Sequence, residues 1–122
     1  MSLDVYLHSQ EKRKNQCGHC GSTYEKQEEL YWANITHNLS KMAEEAGIYK
    51  ALWRPEEINA IRADQIILPL TKGLALLKSD PERFKKLNAP NGWGTYEHFV
   101  PFVEEYLNAC KENPYAIIEV SR

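Results

Sequence analysis

Strand-like segments at both ends of the chain constrain its fold more than any other feature. Leu3, Val5 and Leu7 are separated by Asp4 and Tyr6, which is the period-two pattern of a strand with one buried face. Residues 115–121 have the composition of a closing strand that could pair with the first. Helical periodicity fills the sequence between them. We therefore predict an α+β domain that is mainly helical, with a small antiparallel sheet built from the N- and C-terminal strands.

Composition and charge limit the classes of function. With 122 residues, 43% hydrophobic and 26% charged, the chain can bury one core, so we expect a single domain over residues 1–122. A formal net charge of -2 gives no long-range attraction to nucleic acid, and the one basic cluster, at residues 12–14, is short. We therefore do not expect nucleic acid as a main partner.

The sequence also carries signals about location. No apolar run approaches the roughly 20 residues that cross a bilayer, and residues 1–4 lack the charged-then-apolar pattern of a secretory signal. Three cysteines, an odd count, fit a reducing compartment better than a disulfide scaffold. We expect no membrane partner and a cytoplasmic location.

A first helix is predicted before Gly47, with Asn34 as its N-cap. The apolar residues at helical spacing are Ile35, Leu39, Met42, Ala43 and Ala46. A competing interpretation begins the helix at Ser22, which has capping-box spacing with Glu25. We favour a short strand at about residues 30–33, followed by the helix.

Further helices are predicted in the second half of the chain. One covers residues 63–78, where Pro69 and Gly73 predict a bend or a break. A short one begins after Asp80 and runs to about Leu87. Thr95 caps the last. Its inner face comprises Phe99, Phe102, Val103, Tyr106, Leu107 and Cys110. On that face, Cys110 is expected to be a small buried apolar side chain.

The motif Cys17-Gly18-His19-Cys20-Gly21 lies in a polar segment, residues 9–29, which we expect to be an excursion on the surface. Two thiols at this spacing can bind one metal ion, and the following glycine lets backbone amides turn toward the sulfurs. No second C-x-x-C follows, so the other ligands of a structural zinc ion would be distant histidines. The predicted zinc ligands are Cys17, Cys20, His37 and His8, with His19 as a further candidate. The alternative is a pair of reduced surface thiols.

Redox chemistry is a third interpretation of the cysteine pair. Cys-Gly-His-Cys resembles the active-site tetrapeptide of protein disulfide isomerases, and the resemblance covers these four residues. In that family the motif follows an aromatic residue and opens a helix whose dipole lowers the pKa of the first thiol. Here Gln16 precedes it and Gly21 follows it, and the family's cis-proline has no clear counterpart.

A second group of residues has the chemistry of a ligand site. On a helix, Asn34, His37, Asn38 and Lys41 would form one polar stripe. Tryptophan and arginine side chains nearby could stack on a base or bind a phosphate. The predicted ligand-binding residues are Asn34, Thr36, His37, Asn38, Trp53, Arg54 and Trp93. The alternative is that Asn34 only caps a helix, that His37 and Asn38 are solvated, and that the tryptophans belong to the core.

An enzymatic function rests on two weaker features. His37 has the titration range of a general base, and Asp4, Glu56 or Glu57 could orient it in a small hydrolase. The sequence has no nucleophile elbow, phosphate loop or paired-carboxylate motif that would define a reaction. The other enzymatic alternative is a dithiol oxidoreductase that uses Cys17 and Cys20.

Four stretches in combination resemble a group of small uncharacterised bacteriophage and prophage proteins. They are Asn34 to Leu39, Gly47 to Glu57, Asp80 to Phe84 and Asn91 to Tyr96. The resemblance covers nearly the whole chain after Leu30. It implies an accessory protein in the cytoplasm of a bacterial host that counters host defence by binding a host protein or a nucleotide-like ligand. We favour this non-enzymatic binding function, and exposed aromatic residues could also serve a homodimer interface.

Overall fold

The computed structural model describes residues 2–16, 23–90 and 92–122. Three antiparallel strands form one sheet: β1 (Ser2–Gln16), β2 (Thr23–Thr36) and β3 (Ile117–Ser121), in the order β2-β1-β3. The predicted pairing of the two terminal strands is confirmed, with Val5 opposite Val120. The predicted α+β class is also confirmed, and β2 adds a strand on the other side of β1.

The helices contribute side chains to one core together with one face of the sheet. Their bounds are α1 (Ser40–Glu45), α2 (Tyr49–Trp53), α3 (Ile67–Ser79), α4 (Pro81–Lys85) and α5 (Tyr96–Glu112). Short 3-10 turns occupy His37–Leu39, Pro55–Ile58 and Ala63–Gln65. The sheet side chains in this core, Leu3, Val5 and Leu7, are fully buried. Within the described ranges, no helix is both long enough and apolar enough to cross a membrane.

The polar segment at 9–29 extends the sheet. Strand pairing between β1 and β2 continues from Lys12 opposite Gln27 to Gln16 opposite Thr23. The strand predicted near residues 30–33 is therefore confirmed but longer, and the competing helix from Ser22 is wrong. An excursion was predicted because the residues of this segment are mostly polar or charged in sequence. Cys17 and Cys20 lie outside the described residues.

The first helix begins later than its periodicity predicted. Asn34 is paired in β2 opposite Asp4, and its Nδ2 donates a 2.7 Å hydrogen bond to Asp4 Oδ1. Thr36, not Asn34, is the N-cap, and its hydroxyl accepts from the Asn38 backbone N–H at 3.3 Å. The predicted cap and the polar helical stripe that began at Asn34 are therefore wrong. The predicted stop is confirmed, since Gly47 has a φ of 77° after the helix ends.

Helix α3 has no break at Pro69 or Gly73. Pro69 is the third residue of the helix, where its missing N–H would have had no partner within the helix. Gly73 is buried against Ile48: a Cβ at this position would lie 2.1 Å from Ile48 Cγ2. Gly73 therefore permits close packing of α3 on the segment before α2, and this packing offsets its low helix propensity.

Helix α5 follows its prediction closely. Its predicted inner face is buried throughout, including Cys110. Burial raises the pKa of the Cys110 thiol to about 12. Tyr106 stacks on Tyr31 of β2 with ring centroids 5.9 Å apart. This contact fixes α5 beside β2, where the candidate site lies.

Candidate functional site

A groove of about 640 Å³ separates β2 from α5, and we call it the edge groove. It is lined by Ala33, Asn34, Ile35, Thr36, Leu39, Gly92, Trp93, Gly94, His98, Pro101, Phe102 and Glu105. Apolar and aromatic side chains predominate, with four polar ones among them. This mixture is typical of surfaces that bind organic ligands or peptide segments.

One wall of the edge groove is the backbone edge of β2. Successive side chains of a strand point to opposite faces of the sheet, yet four consecutive residues, 33–36, line the groove. The groove must therefore follow the edge of the strand and not only one of its faces. In the described part of the chain, β1 alone pairs with β2, on its other side. The groove thus runs beside backbone groups that no described strand pairs.

The opposite wall is one stripe of α5. His98, Pro101, Phe102 and Glu105 follow the i, i+3, i+4, i+7 pattern of a single helical face. The nitrogen Nδ1 of His98 lies 3.1 Å from the Thr95 hydroxyl. His98 and Glu105 were not among the ligand-binding residues predicted from the sequence. The sequence signal that could have found them is their position next to the buried face of α5, because residues that flank such a face lie at the boundary between core and surface.

The loop that contains Trp93 and Gly94 also lines the groove. Asn38 Nδ2 donates a 2.8 Å hydrogen bond to the Trp93 carbonyl. Gly94 has a φ of 105°, and a Cβ on it would lie 3.0 Å from both the Asn38 Cβ and the Thr36 Cγ2. Only glycine fits this approach without displacing the loop. The Trp93 side chain remains 72% exposed, so its indole is presented at the groove.

A second concavity of about 550 Å³ lies near the same loop, and we call it the His37 pocket. Its lining residues are His37, Asn38, Ser40, Lys41, Leu87, Asn88, Ala89 and Pro90. The indole Nε1–H of Trp53 donates a 2.9 Å hydrogen bond to Nδ1 of His37. Neutral His37 therefore carries its own hydrogen on Nε2. In this state the ring offers a ligand an N–H donor and no free lone pair.

The structure distributes the predicted ligand-binding residues over different places. Asn34, Thr36 and Trp93 line the edge groove, whereas His37 and Asn38 line the His37 pocket. Trp53 is 3% exposed and acts on the pocket only through its hydrogen bond to His37.

Arg54 lines neither concavity. Its guanidinium lies 3.4 Å from the Glu57 carboxylate. The pKa of Arg54 is raised, chiefly by a hydrogen bond with the Tyr49 side chain. It is an exposed residue outside both concavities.

The two predicted histidine ligands of zinc are far apart. His8 lies six residues from Ser2 along β1, or roughly 20 Å, whereas His37 follows Thr36, the strand partner of Ser2. One zinc ion binds its nitrogen ligands at about 2 Å, so it cannot take both rings. Nε2 of His8 is 2.6 Å from Glu119 Oε2.

The same hydrogen bond to Trp53 limits His37 as a metal ligand or general base. Either role needs a ring lone pair, which would require a tautomer change that breaks this bond. Among the described residues, no three histidine, cysteine, aspartate or glutamate side chains gather as a metal site would. Zinc at Cys17 and Cys20 stays a prediction.

Comparison with known proteins adds no relative: no family model, curated protein or solved structure matches this chain. A function for it therefore rests on its own geometry.

Proposed function

We propose that this chain is a non-enzymatic binding protein that takes an extended segment of a partner protein into the edge groove. The segment would pair with β2 and add a fourth strand to the sheet. The observation that carries this proposal is the run of four consecutive β2 residues along the groove. Strand addition to an exposed sheet edge is a recurrent mode of peptide recognition.

The backbone of β2 supplies the part of the affinity that does not depend on the amino-acid sequence of the bound segment. In an antiparallel pair, every second residue directs both its N–H and its C=O toward the partner strand. Residues 33–36 therefore present two such positions, or about four backbone hydrogen bonds to a new strand. Each contributes about 0.5–1.5 kcal/mol net, so these bonds alone do not offset the entropy lost on binding, and side-chain contacts must add to them.

Side chains in the groove supply those contacts. Phe102, which is buried, and the exposed indole of Trp93 offer aromatic surface to a bound segment. Glu105 is the only carboxylate among the described residues that line the groove. Its neighbour Glu104 pairs with Lys78 at 3.4 Å, whereas no described residue forms an ion pair with Glu105. A segment that carries lysine or arginine opposite Glu105 would complement this charge.

The resemblance to bacteriophage accessory proteins supplies the biological part of the proposal. In that context the partner is a host protein, and its capture would counter host defence in the bacterial cytoplasm. A second copy of this chain is the competing occupant of the β2 edge, which would make the protein a homodimer. The hydrolase alternative gains no support from the edge groove, because His37 is not among the described residues that line it. The cysteine pair of the oxidoreductase alternative lies outside the described residues.

Selection of short random peptides against the immobilised protein tests the proposal. Peptides that bind are expected to lose at least about tenfold in affinity to Trp93→Ala, because the indole lines the groove. Trp32→Ala is the matched control: this indole is 53% exposed but lies outside the groove lining, so binding should change less than about twofold. Sedimentation velocity reports the homodimer separately. Equal losses in both variants would contradict the proposal.

A further inference from the structure

We propose that the His37 pocket binds the phosphate group of a small phosphorylated molecule. This site is separate from the edge groove and does not depend on the function proposed for that groove. Two observations carry it: the tautomer that Trp53 imposes on His37, and the charge of the residues that line the pocket.

His37 presents a donor to this pocket. Its Nδ1 is occupied by the indole of Trp53, so the remaining polar atom of the neutral ring is an N–H at Nε2. Trp53 is buried, so its hydrogen bond ties the imidazole to the core. A ring fixed in this way needs no rearrangement to donate to an anionic oxygen, and a hydrogen bond to an ionised acceptor is stronger than one between neutral groups.

The charge of the pocket has one sign. Among the described residues that line the pocket, Lys41 is the only charged one, and none is an aspartate or glutamate. Among the described residues, no carboxylate pairs with the Lys41 ammonium. The Ser40 hydroxyl adjoins it in sequence and also lines the pocket. Lysine acts on phosphate as a point charge, so this arrangement favours a dianion over a neutral ligand.

The pocket also has an apolar part and is of suitable size. Leu87, Ala89 and Pro90 line it together with Asn38 and Asn88, and the three apolar residues offer van der Waals surface to the uncharged part of a ligand. The side chains of Asn38 and Asn88 already form hydrogen bonds with the Trp93 carbonyl and the Tyr96 backbone N–H. A volume of about 550 Å³ lies within the range of pockets that hold small organic molecules. A free phosphate ion would leave that apolar surface uncovered. The pocket therefore fits a phosphate ester with a compact organic group.

AMP and adenosine form a matched pair of probes that differ in the phosphate. In a titration followed by amide chemical shifts, AMP is expected to shift the Ser40 and Lys41 resonances, and adenosine at the same concentration is not. Lys41→Gln should weaken AMP binding at least about tenfold, because it removes the one positive charge of the lining. Lys72→Gln removes an exposed lysine of α3 outside this lining and should change binding less than about twofold.

Several results would overturn this inference. They are an absence of shifts with AMP, equal shifts with adenosine, or equal weakening by the two lysine substitutions. Both lysines are exposed, so loss of folding is not expected to obscure the comparison. Because the edge groove contains neither lysine, peptide binding there should survive Lys41→Gln. Failure of the phosphate site is thus distinguishable from failure of the edge groove.

Discussion

The indole Nε1–H of Trp53 lies 2.9 Å from Nδ1 of His37 and donates a hydrogen bond to it. The two residues are 16 positions apart in sequence and join the turn after β2 to the end of α2. The rings also approach each other, with centroids 6.3 Å apart. This bond fixes the hydrogen of the neutral His37 ring on Nε2, which is then a hydrogen-bond donor. It also ties the ring to the buried Trp53.

Trp53→Phe removes the donor while keeping an aromatic ring. We expect the free energy of unfolding to fall by about 1–3 kcal/mol, because Nδ1 of His37 loses its partner and the smaller ring leaves space in the core. Urea denaturation measures this loss. The control is Trp32→Phe, at an exposed indole, which should cost less than about 0.5 kcal/mol. Nitrogen-15 spectra of the His37 ring in the unaltered protein should show the hydrogen on Nε2; a hydrogen on Nδ1 would contradict the bond.

Gly94 and Gly92 form a matched pair in the loop that lines the edge groove. Both have positive φ, 105° and 76°, but only at Gly94 would a Cβ meet neighbours at 3.0 Å. Gly92→Ala should cost about 1 kcal/mol of stability from backbone strain alone. Gly94→Ala should cost about 1–3 kcal/mol more, since Asn38 or Thr36 must move. Thermal unfolding checks the order, and equal losses would show that the loop does not pack as described.

Stability at alkaline pH should depend on Cys110. Burial raises the pKa of its thiol to about 12, above the value of about 8.5 for a thiol in an unfolded chain. The folded state therefore keeps a proton that the unfolded state loses. This contribution to stability is complete below about pH 8.5 and declines as the pH rises toward 12, by up to about 1.4 kcal/mol per pH unit.

Cys110→Ala is the variant that isolates this effect. Its free energy of unfolding should fall less steeply between pH 9 and 11 than that of the unaltered protein. Burial raises the pKa of Tyr106 and the neighbouring Cys110 raises it further, so Tyr106 contributes in the same direction in both proteins and less strongly in the variant. Identical slopes would mean that the thiol titrates in the folded state as it does in the unfolded chain.

The parts of the fold that the sequence predicted are those with a single clear period. The alternation at Leu3, Val5 and Leu7 predicted β1 and its buried face, and the inner face of α5 was predicted residue by residue. In both elements the local pattern agrees with the tertiary packing. A bend or a break was predicted in α3, and the helix has no break, because Gly73 packs against Ile48 from another segment, a contact that no local pattern contains.

The region around the candidate site was predicted less well. Asn34 and Thr36 are both good capping residues, and apolar spacing from Ile35 onward favoured a helix that included them. Pairing of Asn34 with Asp4 places it in the strand instead, so Thr36 becomes the cap. The edge groove could not be predicted because it exists only where β2 and α5 lie side by side. His98 and Glu105 acquire their position from that contact.

The most direct test of the proposed strand addition is amide hydrogen exchange along β2 with and without a bound peptide. Peptides chosen by the selection described above are the probes. We expect slower exchange at every second amide of residues 33–36, because the intervening amides already face β1. Loss of this protection in Trp93→Ala, at matched peptide concentration, would place the peptide in the same groove. Unchanged exchange along β2 while the peptide is bound would show that the peptide does not pair with this strand.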